Sequence, residues 1–188
     1  MKTRLMALIL LAIAAVLGND QLVAGDSPTT VSLRSDARAL AARMLAAYVF
    51  VAGGSGVVVS ADGLVLTNHH VIDGEHDLEA RFANGRTYPA KLLGIDPVGD
   101  LALLKIDAGR ELSWVSLAPA ESLHAGMEVV AIGNPFGLGD LDDTPSLSRG
   151  VLSTVRIVRD DYTDALQLDA PVNPGNSGGP LFDLAGRL

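Results

Sequence analysis

The chain has no cysteine among its 188 residues, and this absence removes several kinds of chemistry. It excludes disulfides, thiolate zinc sites and thiol nucleophiles, so an exported form must be held together by its core. Basic residues are also scarce, since 14 Lys and Arg stand against 22 Asp and Glu and give a net charge of −8. Such a surface repels phosphate backbones, which argues against nucleic acid as a partner.

Long apolar runs are absent as well. The run from Leu5 to Leu17 has thirteen residues and follows the basic Lys2 and Arg4, whereas a membrane-spanning helix needs about 20. A basic start, a short apolar segment and small residues after it are typical of an export signal. We therefore predict residues 1–18 as a signal peptide cleaved after Gly18, with an uncleaved membrane anchor as the alternative. Cleavage would leave 12 basic against 22 acidic residues.

The region after the predicted signal begins with a polar stretch and continues with a helical pattern. Residues 19–34 are mixed and polar, which is typical of a linker. A helix is predicted from Ser35, which can cap it, and Asp36 suits its positive N-terminal end. Apolar residues at helical spacing then form one face, made by Ala37, Leu40, Ala41, Met44, Leu45 and Tyr48.

Beyond Tyr48 the pattern becomes one of short strands separated by turns. Gly53-Gly54 breaks the first apolar run, and Asp62-Gly63 and Asn84-Gly85 each predict a β-hairpin. Further strands are predicted in the segments DLALLKID, MEVVAIGN, RGVLSTVRI and ALQLDA. The sequence shows no internal repeat and no low-complexity tract. This spacing favours an all-β fold, as an antiparallel barrel or a sandwich.

Ser177 is framed by glycines in the segment NPGNSGGPLF. Glycines let successive backbone amides point at one negative oxygen, although an ordinary glycine-rich turn is the alternative. The spacing also fits the nucleophile elbow of α/β-hydrolases, in which an acid and a histidine follow the serine. Only eleven residues follow Ser177 and none is a histidine. The elbow interpretation therefore fails unless its partners lie beyond Leu188.

A histidine near position 70, an aspartate near position 100 and Ser177 stand in the order of a chymotrypsin-type triad. A serine hydroxyl is a weak nucleophile at neutral pH, so it needs a base and an acid that orients the base. The adjacent His69 and His70 are equivalent on this argument, and the order alone does not choose between them.

Four blocks resemble the HtrA/Deg family of chymotrypsin-fold serine proteases: GSGVVVSADGLVLTNHHVI, GIDPVGDLALLKI, AIGNPFGLG and QLDAPVNPGNSGGPL. They extend over roughly residues 54 to 184. The resemblance implies an all-β fold of two antiparallel β-barrels with a short N-terminal helix, and a protease domain over residues 35–188. The family continues with further strands and a PDZ domain after GGPLFDLAGRL. We therefore expect a second barrel that is incomplete at the C-terminus and a chain that is a fragment of a longer protein.

The resemblance also assigns roles to single residues. The family pattern Thr-Asn-x-His-Val matches Thr67 to Val71, which implies that His70 is the general base and that His69 fills the variable position. Asp100 matches the acid that orients the base. Ser177 matches the nucleophile.

The remaining implied site residues bind the substrate. The amides of Gly175 and Ser177 match the oxyanion hole, and the specificity pocket is implied near Pro171, Val172 and Asn173. Since none of these pocket residues is charged, small or medium apolar side chains are the expected preference. The implied activity is hydrolysis of peptide bonds in unfolded or damaged proteins through an acyl-enzyme, with no metal or organic cofactor.

Two other functions remain open with the same fold. One is a catalytically incomplete, chaperone-like polypeptide-binding remnant, and the other is an acyl hydrolase that uses the triad on esters. The expected partners are polypeptide substrates, and the expected location is the periplasm or cell envelope. A homo-oligomer, a trimer, is implied by the resemblance alone.

Two polar clusters could be mistaken for metal sites. His69, His70, His76, Asp73 and Asp77 stand close in sequence, but acids and histidines often gather in loops without binding a metal. The segment DLDDT at residues 140–144 lacks the glycine and the distal glutamate of a calcium loop, so we predict a solvated loop there. No metal site is predicted.

Overall fold

The computed structural model of the chain describes residues 28–159 and 162–188. The predicted signal peptide, and the predicted linker up to residue 27, lie outside these ranges. Of the helices within them, none combines the length and the hydropathy that a membrane span requires.

Helix α1 spans Pro28–Ala47, with a proline where a first helical turn tolerates one. The predicted start at Ser35 is wrong, because Ser35 lies within the helix. The chain divides into two compact units at Ala39 and Leu40, and the C-terminal part of α1 belongs to the larger unit. There Met44 is 1% exposed, and Leu40 and Leu45 pack partly buried against the core. The predicted apolar face is confirmed at these three residues.

A closed six-stranded antiparallel barrel follows the helix, with the strand order β1-β2-β3-β6-β5-β4. Its strands are β1 Tyr48–Val51, β2 Gly54–Val58, β3 Leu64–Thr67, β4 Glu79–Phe82, β5 Thr87–Asp96 and β6 Leu101–Ile106. A one-turn helix, α2 at His69–Ile72, follows β3. Leucine and valine are the commonest residues of these strands, and the β-branched valines suit a pleated and half-buried surface.

The turns of the barrel follow the glycine signals with one shift. Ala52 and Gly53 both have positive φ, 46° and 76°, which is the two-residue turn that hairpins prefer. The break therefore lies one residue before the predicted Gly53-Gly54. Both predicted hairpins are confirmed, at Asp62-Gly63 and Asn84-Gly85.

The remaining strands form a second antiparallel sheet in the order β10-β7-β8-β9. Its strands are β7 Glu128–Gly133, β8 Ser146–Arg159, β9 Tyr162–Leu168 and β10 Leu181–Asp183. Ile132 of β7 and Phe182 of β10 lie in the same buried cluster as the barrel core. The all-β prediction is confirmed, with one closed barrel and a second sheet of four strands that does not close within the described ranges.

Candidate active site

The predicted base and acid meet through the pairing of β3 with β6. Thr67, the last residue of β3, stands opposite Ala102, near the start of β6. His70 follows β3 on α2, and Asp100 directly precedes β6. The His70 Nδ1 atom lies 2.6 Å from Asp100 Oδ2, and the His70 amide donates to Asp100 Oδ1 at 2.9 Å. The antiparallel pairing of β3 with β6 therefore brings together two residues that are thirty positions apart in the chain.

The electrostatics of this pair favour an ionised acid. Partial burial raises the pKa of Asp100, but hydrogen bonds from the amide and imidazole of His70 lower it more, so the net pKa is below the ordinary value. The Asp100 side chain is 26% exposed, whereas that of His70 is 57% exposed. With Nδ1 held by the carboxylate, Nε2 of His70 is the nitrogen available to another group.

The backbone of Asp100 takes an unusual conformation that the adjacent turn supports. Its φ is 51°, in the left-handed region that non-glycine residues rarely adopt. Its carbonyl oxygen accepts a hydrogen bond from the His69 amide at 3.1 Å and from Asn68 Nδ2 at 2.7 Å. His69 thus contributes a backbone contact, while both the amide and the ring of His70 reach the carboxylate.

Ser177 lies in the loop between β9 and β10, and this loop is docked onto the first barrel. The Ser55 amide donates to the Ser177 carbonyl oxygen at 2.9 Å. A side-chain methyl of Val71 and the Ser177 carbonyl lie 3.0 and 3.1 Å from the single point that a Cβ on Gly54 would occupy. Since Val71 directly follows His70, the backbone of the Ser177 loop lies beside the segment that carries the base.

The amides of the Ser177 loop fall into two groups. Those of Asn176, Gly178 and Gly179 all donate to other groups of the chain. Those of Gly175 and Ser177 donate to no acceptor in the part of the chain that the structure describes. These are the two amides that the sequence resemblance assigned to an oxyanion hole.

The loop rests on buried polar groups that the sequence analysis missed. Ser55 is fully buried, and its hydroxyl donates to the Gly175 carbonyl at 2.9 Å and pairs with the Tyr48 hydroxyl at 2.8 Å. Burial raises the pKa of Tyr48, so its hydroxyl stays protonated and can donate. Thr67 Oγ1 donates to the Ser55 carbonyl at 2.7 Å. A lone serine between glycines in an apolar strand was the available signal.

The predicted specificity residues lie on the surface, near the start of this loop. Pro171, Val172 and Asn173 are exposed, and the Val172 side chain is 53% exposed. The Pro171 carbonyl accepts a hydrogen bond from Ser148 Oγ at 2.7 Å, which ties the segment to β8.

The DLDDT segment is mostly exposed, as predicted, and only Asp143 of its five residues is half-buried. Asp140 and Asp143 both pair with Arg81 of β4, and Arg81 Nη2 lies 2.6 Å from Asp140 Oδ1. The guanidinium carbon also stands 4.3 Å from the centroid of the Phe50 ring. Within residues 28–159 and 162–188 no three metal-ligating side chains are grouped together.

The family models and the curated relatives that match this chain are peptidases. A family model described as the trypsin-like peptidase domain matches residues 54–188, and a model of peptidase S46 matches residues 27–77. The chain is 46% identical over 137 residues to a probable periplasmic serine endoprotease DegP-like of Pseudomonas fluorescens, covering 72% of this chain and 28% of that protein. It is 39% identical over 143 residues to the periplasmic serine endoprotease DegP of Escherichia coli K12, covering 74% and 29%.

Solved structures agree with these relatives. The HtrA-type protease AlgW with tripeptide superposes with a TM-score of 0.73 at 36% identity, over 79% of this chain and 51% of that one. The chain spans less than a third of the length of the curated relatives it matches. The trypsin-like model matches most of the chain, and the HtrA-type proteins match it in sequence and in fold. The chain therefore belongs to the trypsin-like peptidase family, among the HtrA-type serine proteases.

Proposed function

We propose that this chain carries the catalytic domain of a serine endopeptidase that acts on unfolded or damaged polypeptides. The observation that carries the proposal is the meeting of two hydrogen-bonded units. The His70–Asp100 pair lies on one side, and the Ser177 loop is bound to Ser55, a residue of the same barrel, on the other. Nucleophile, base and orienting acid are the three groups that acyl transfer by serine requires.

In the proposed reaction Ser177 Oγ attacks the carbonyl carbon of the scissile peptide while His70 Nε2 takes the hydroxyl proton. Asp100 holds Nδ1 of the ring and stabilises the imidazolium that forms. The proton then passes from His70 to the leaving amine, which leaves an acyl-enzyme on Ser177. Water activated by the same imidazole releases the acid product and restores the serine.

The amides of Gly175 and Ser177 supply the proposed oxyanion hole. They have no internal acceptor within the described residues, so both can donate to the negative oxygen of the tetrahedral intermediate. Each such donor contributes about 3 kcal/mol to the transition state in comparable enzymes. The Ser55 hydroxyl holds the Gly175 carbonyl and thereby fixes the direction of this segment before the substrate arrives.

The proposal extends to the substrate preference and to the location of the protein. Pro171, Val172 and Asn173 offer no charge to a basic side chain, which favours small or medium apolar residues before the cleaved bond. Relatives are named periplasmic, and the predicted export signal at residues 1–18 agrees with that compartment. Two of the solved relatives are the HtrA-type protease AlgW with a tripeptide and with a decapeptide, which supports polypeptides as the substrates of this chain.

The proposal is tested with a fluorophosphonate probe, which forms a bond to an activated serine and releases fluoride. The wild-type chain should label at Ser177, located by mass spectrometry, and Ser177→Ala should not label. His70→Ala should lower the labelling rate by about six orders of magnitude. His69→Ala is the matched control and should label normally, because its contact to Asp100 uses the backbone amide.

Two outcomes would point to the other functions. A folded wild-type chain that never labels would contradict the enzyme and favour the polypeptide-binding remnant. Hydrolysis of simple esters without any cleavage of casein would contradict the endopeptidase and favour an esterase with the same triad.

A further inference from the structure

Asn68 occupies the N-cap position of α2 but does not cap it. Asparagine is favoured at that position because its side-chain oxygen accepts a hydrogen bond from an amide in the first turn. Asn68 has the extended backbone of a cap residue, with φ −79° and ψ 150°, yet it makes no capping bond. Its side-chain amide is used for two contacts outside the helix.

Those two contacts join distant parts of the chain. Asn68 Nδ2 donates to the Asp100 carbonyl oxygen at 2.7 Å, and Asn68 Oδ1 accepts from the Gly178 amide at 2.6 Å. The partners determine which way the side chain points, since a carbonyl only accepts and a backbone amide only donates. One side chain therefore links the proposed acid to the residue after the proposed nucleophile.

At the acid end, the contact supports a backbone conformation that is unfavourable by itself. Asp100 has a φ of 51°, and its carbonyl oxygen is held by Asn68 Nδ2 and the His69 amide. In this conformation the carboxylate meets both the amide and the ring of His70. Loss of the Asn68 bond would leave the carbonyl with the longer contact alone.

At the nucleophile end, the contact completes a clamp on one peptide unit. The Ser177 carbonyl and the Gly178 amide belong to the same planar group. Ser55 donates to its oxygen at 2.9 Å, and Asn68 accepts from its nitrogen at 2.6 Å. A Cβ on Gly178 would lie 2.2 Å from the Ser55 carbonyl, so the unit is packed directly against β2. Its orientation sets the backbone from which the Ser177 side chain projects.

We propose that Asn68 is a positioning residue that sets the separation between the Asp100–His70 pair and the Ser177 loop. The inference rests on the proposed function, because it takes Ser177 as the nucleophile. Asn68 does not touch the substrate in this role. It acts through the backbone of Asp100 and through the Ser177–Gly178 peptide.

The test measures the labelling rate of Ser177 against probe concentration, which separates probe affinity from the maximal rate. Asn68→Ala should lower the maximal rate about tenfold to a hundredfold, as expected for the loss of two hydrogen bonds, with affinity unchanged. Asn84→Ala is the matched control, since among the described residues the Asn84 side chain bonds only to the Arg86 amide of its own hairpin turn. Its labelling should equal that of wild type.

A second variant separates the two ends of the bridge. Asn68→Asp keeps an acceptor for the Gly178 amide but places an oxygen against the Asp100 carbonyl. It should label no faster than Asn68→Ala, and its rate–pH profile should move to higher pH, because an added negative charge favours protonated imidazole. Full activity in Asn68→Asp would overturn the role at the acid end. If Asn68→Ala does not fold, Asn68→Ser, which keeps a preferred N-cap residue, takes its place.

An independent measurement distinguishes failure of this inference from failure of the proposed function. In NMR spectra, Asn68→Ala should speed hydrogen exchange at the Gly178 amide and weaken the low-field signal of the His70 Nδ1 proton. If the wild type labels and the variant labels equally fast with a lowered melting temperature, Asn68 is only structural. If the wild type does not label, the enzyme proposal fails, and unchanged NMR signals in the variant would still refute the bridge.

Discussion

At the scale of the residue, the site depends on backbone conformations that few side chains allow. Gly175 has a φ of +98°, and a Cβ there would lie 2.0 Å from the Asn134 carbonyl oxygen. The same residue supplies one of the two unused amides. Glycine is therefore needed at this position for two reasons, left-handed geometry and close contact with a second backbone segment.

Gly175→Ala should reduce the labelling rate of Ser177 by about a hundredfold to a thousandfold, which is the effect of removing one oxyanion donor. The reason is that the added methyl must push the segment away from Asn134 and so misdirect the amide. Gly74→Ala is the matched control, because Gly74 also has positive φ, +80°, but open space around it. It should cost about 1 kcal/mol of stability and leave labelling unchanged. Equal labelling in both variants would contradict the role of the Gly175 amide.

At the scale of the element, the short strand β10 is held by the charged carboxylate of its last residue, Asp183. Asp183 is 5% exposed, and its carboxylate accepts bonds from the amides of Ala185 and Arg187, each at 2.9 Å. The Arg187 guanidinium adds contacts at 2.8 and 2.7 Å. Burial raises the pKa of Asp183, but these bonds lower it more, so its net pKa is below the ordinary value. The charged form is thus favoured in the folded chain.

Asp183→Asn should lower the free energy of unfolding at neutral pH by about 2 kcal/mol, because it removes a charge that a buried turn is built around. A carboxyl with a lowered folded pKa stabilises fully above its ordinary pKa, about 4, and loses this contribution as pH falls through the folded pKa. The difference in the free energy of unfolding between wild type and variant, measured in urea, should therefore disappear below about pH 4. Asp77→Asn, at an exposed aspartate, should leave the free energy of unfolding unchanged at every pH. A difference for Asp183→Asn that persists in acid would contradict an ionic origin of the stabilisation.

At the scale of the whole molecule, the site exists because two sheets dock. The Ser55 amide of the barrel donates to the Ser177 carbonyl oxygen. Ile132 and Phe182 of the second sheet lie in the same buried cluster as the barrel core. A further link runs from Arg81 of β4 to Asp140 and Asp143 in the connection between β7 and β8. Arg81 is only 25% exposed and lies over Phe50, so this link is partly shielded from solvent.

A double-mutant cycle on Arg81 and Asp143 should give a coupling energy of about 1 kcal/mol in urea unfolding. Partial burial and the contact with the Phe50 ring strengthen the pair relative to an exposed one. A cycle on Lys105 and Asp62 is the control, because the Asp62 side chain is 75% exposed and salt screens it. It should show no measurable coupling. Equal coupling in the two cycles would mean that the inter-sheet link adds nothing specific.

Local signals in the sequence predicted most of the fold. Asp-Gly and Asn-Gly set two hairpins, and short apolar runs became strands, because turn chemistry and pairing of neighbours act over a few residues. The start of α1 was missed, since Ser35 was a plausible cap but the helix continues back to Pro28. Leu92 is 41% exposed, and a bulge interrupts the pairing of β5 with β6 just after it.

By itself the sequence determined which residue types could do chemistry: a glycine-framed serine, histidines and aspartates in triad order, and no cysteine. It could not choose His70 over His69 without the family resemblance. Only the tertiary structure decided that both the ring and the amide of His70 reach Asp100 and that Asn68 and Ser55 hold the Ser177 loop. These contacts join positions 30 to 120 residues apart. Strand register and sheet docking set such distances, and neither is contained in any local stretch of the chain.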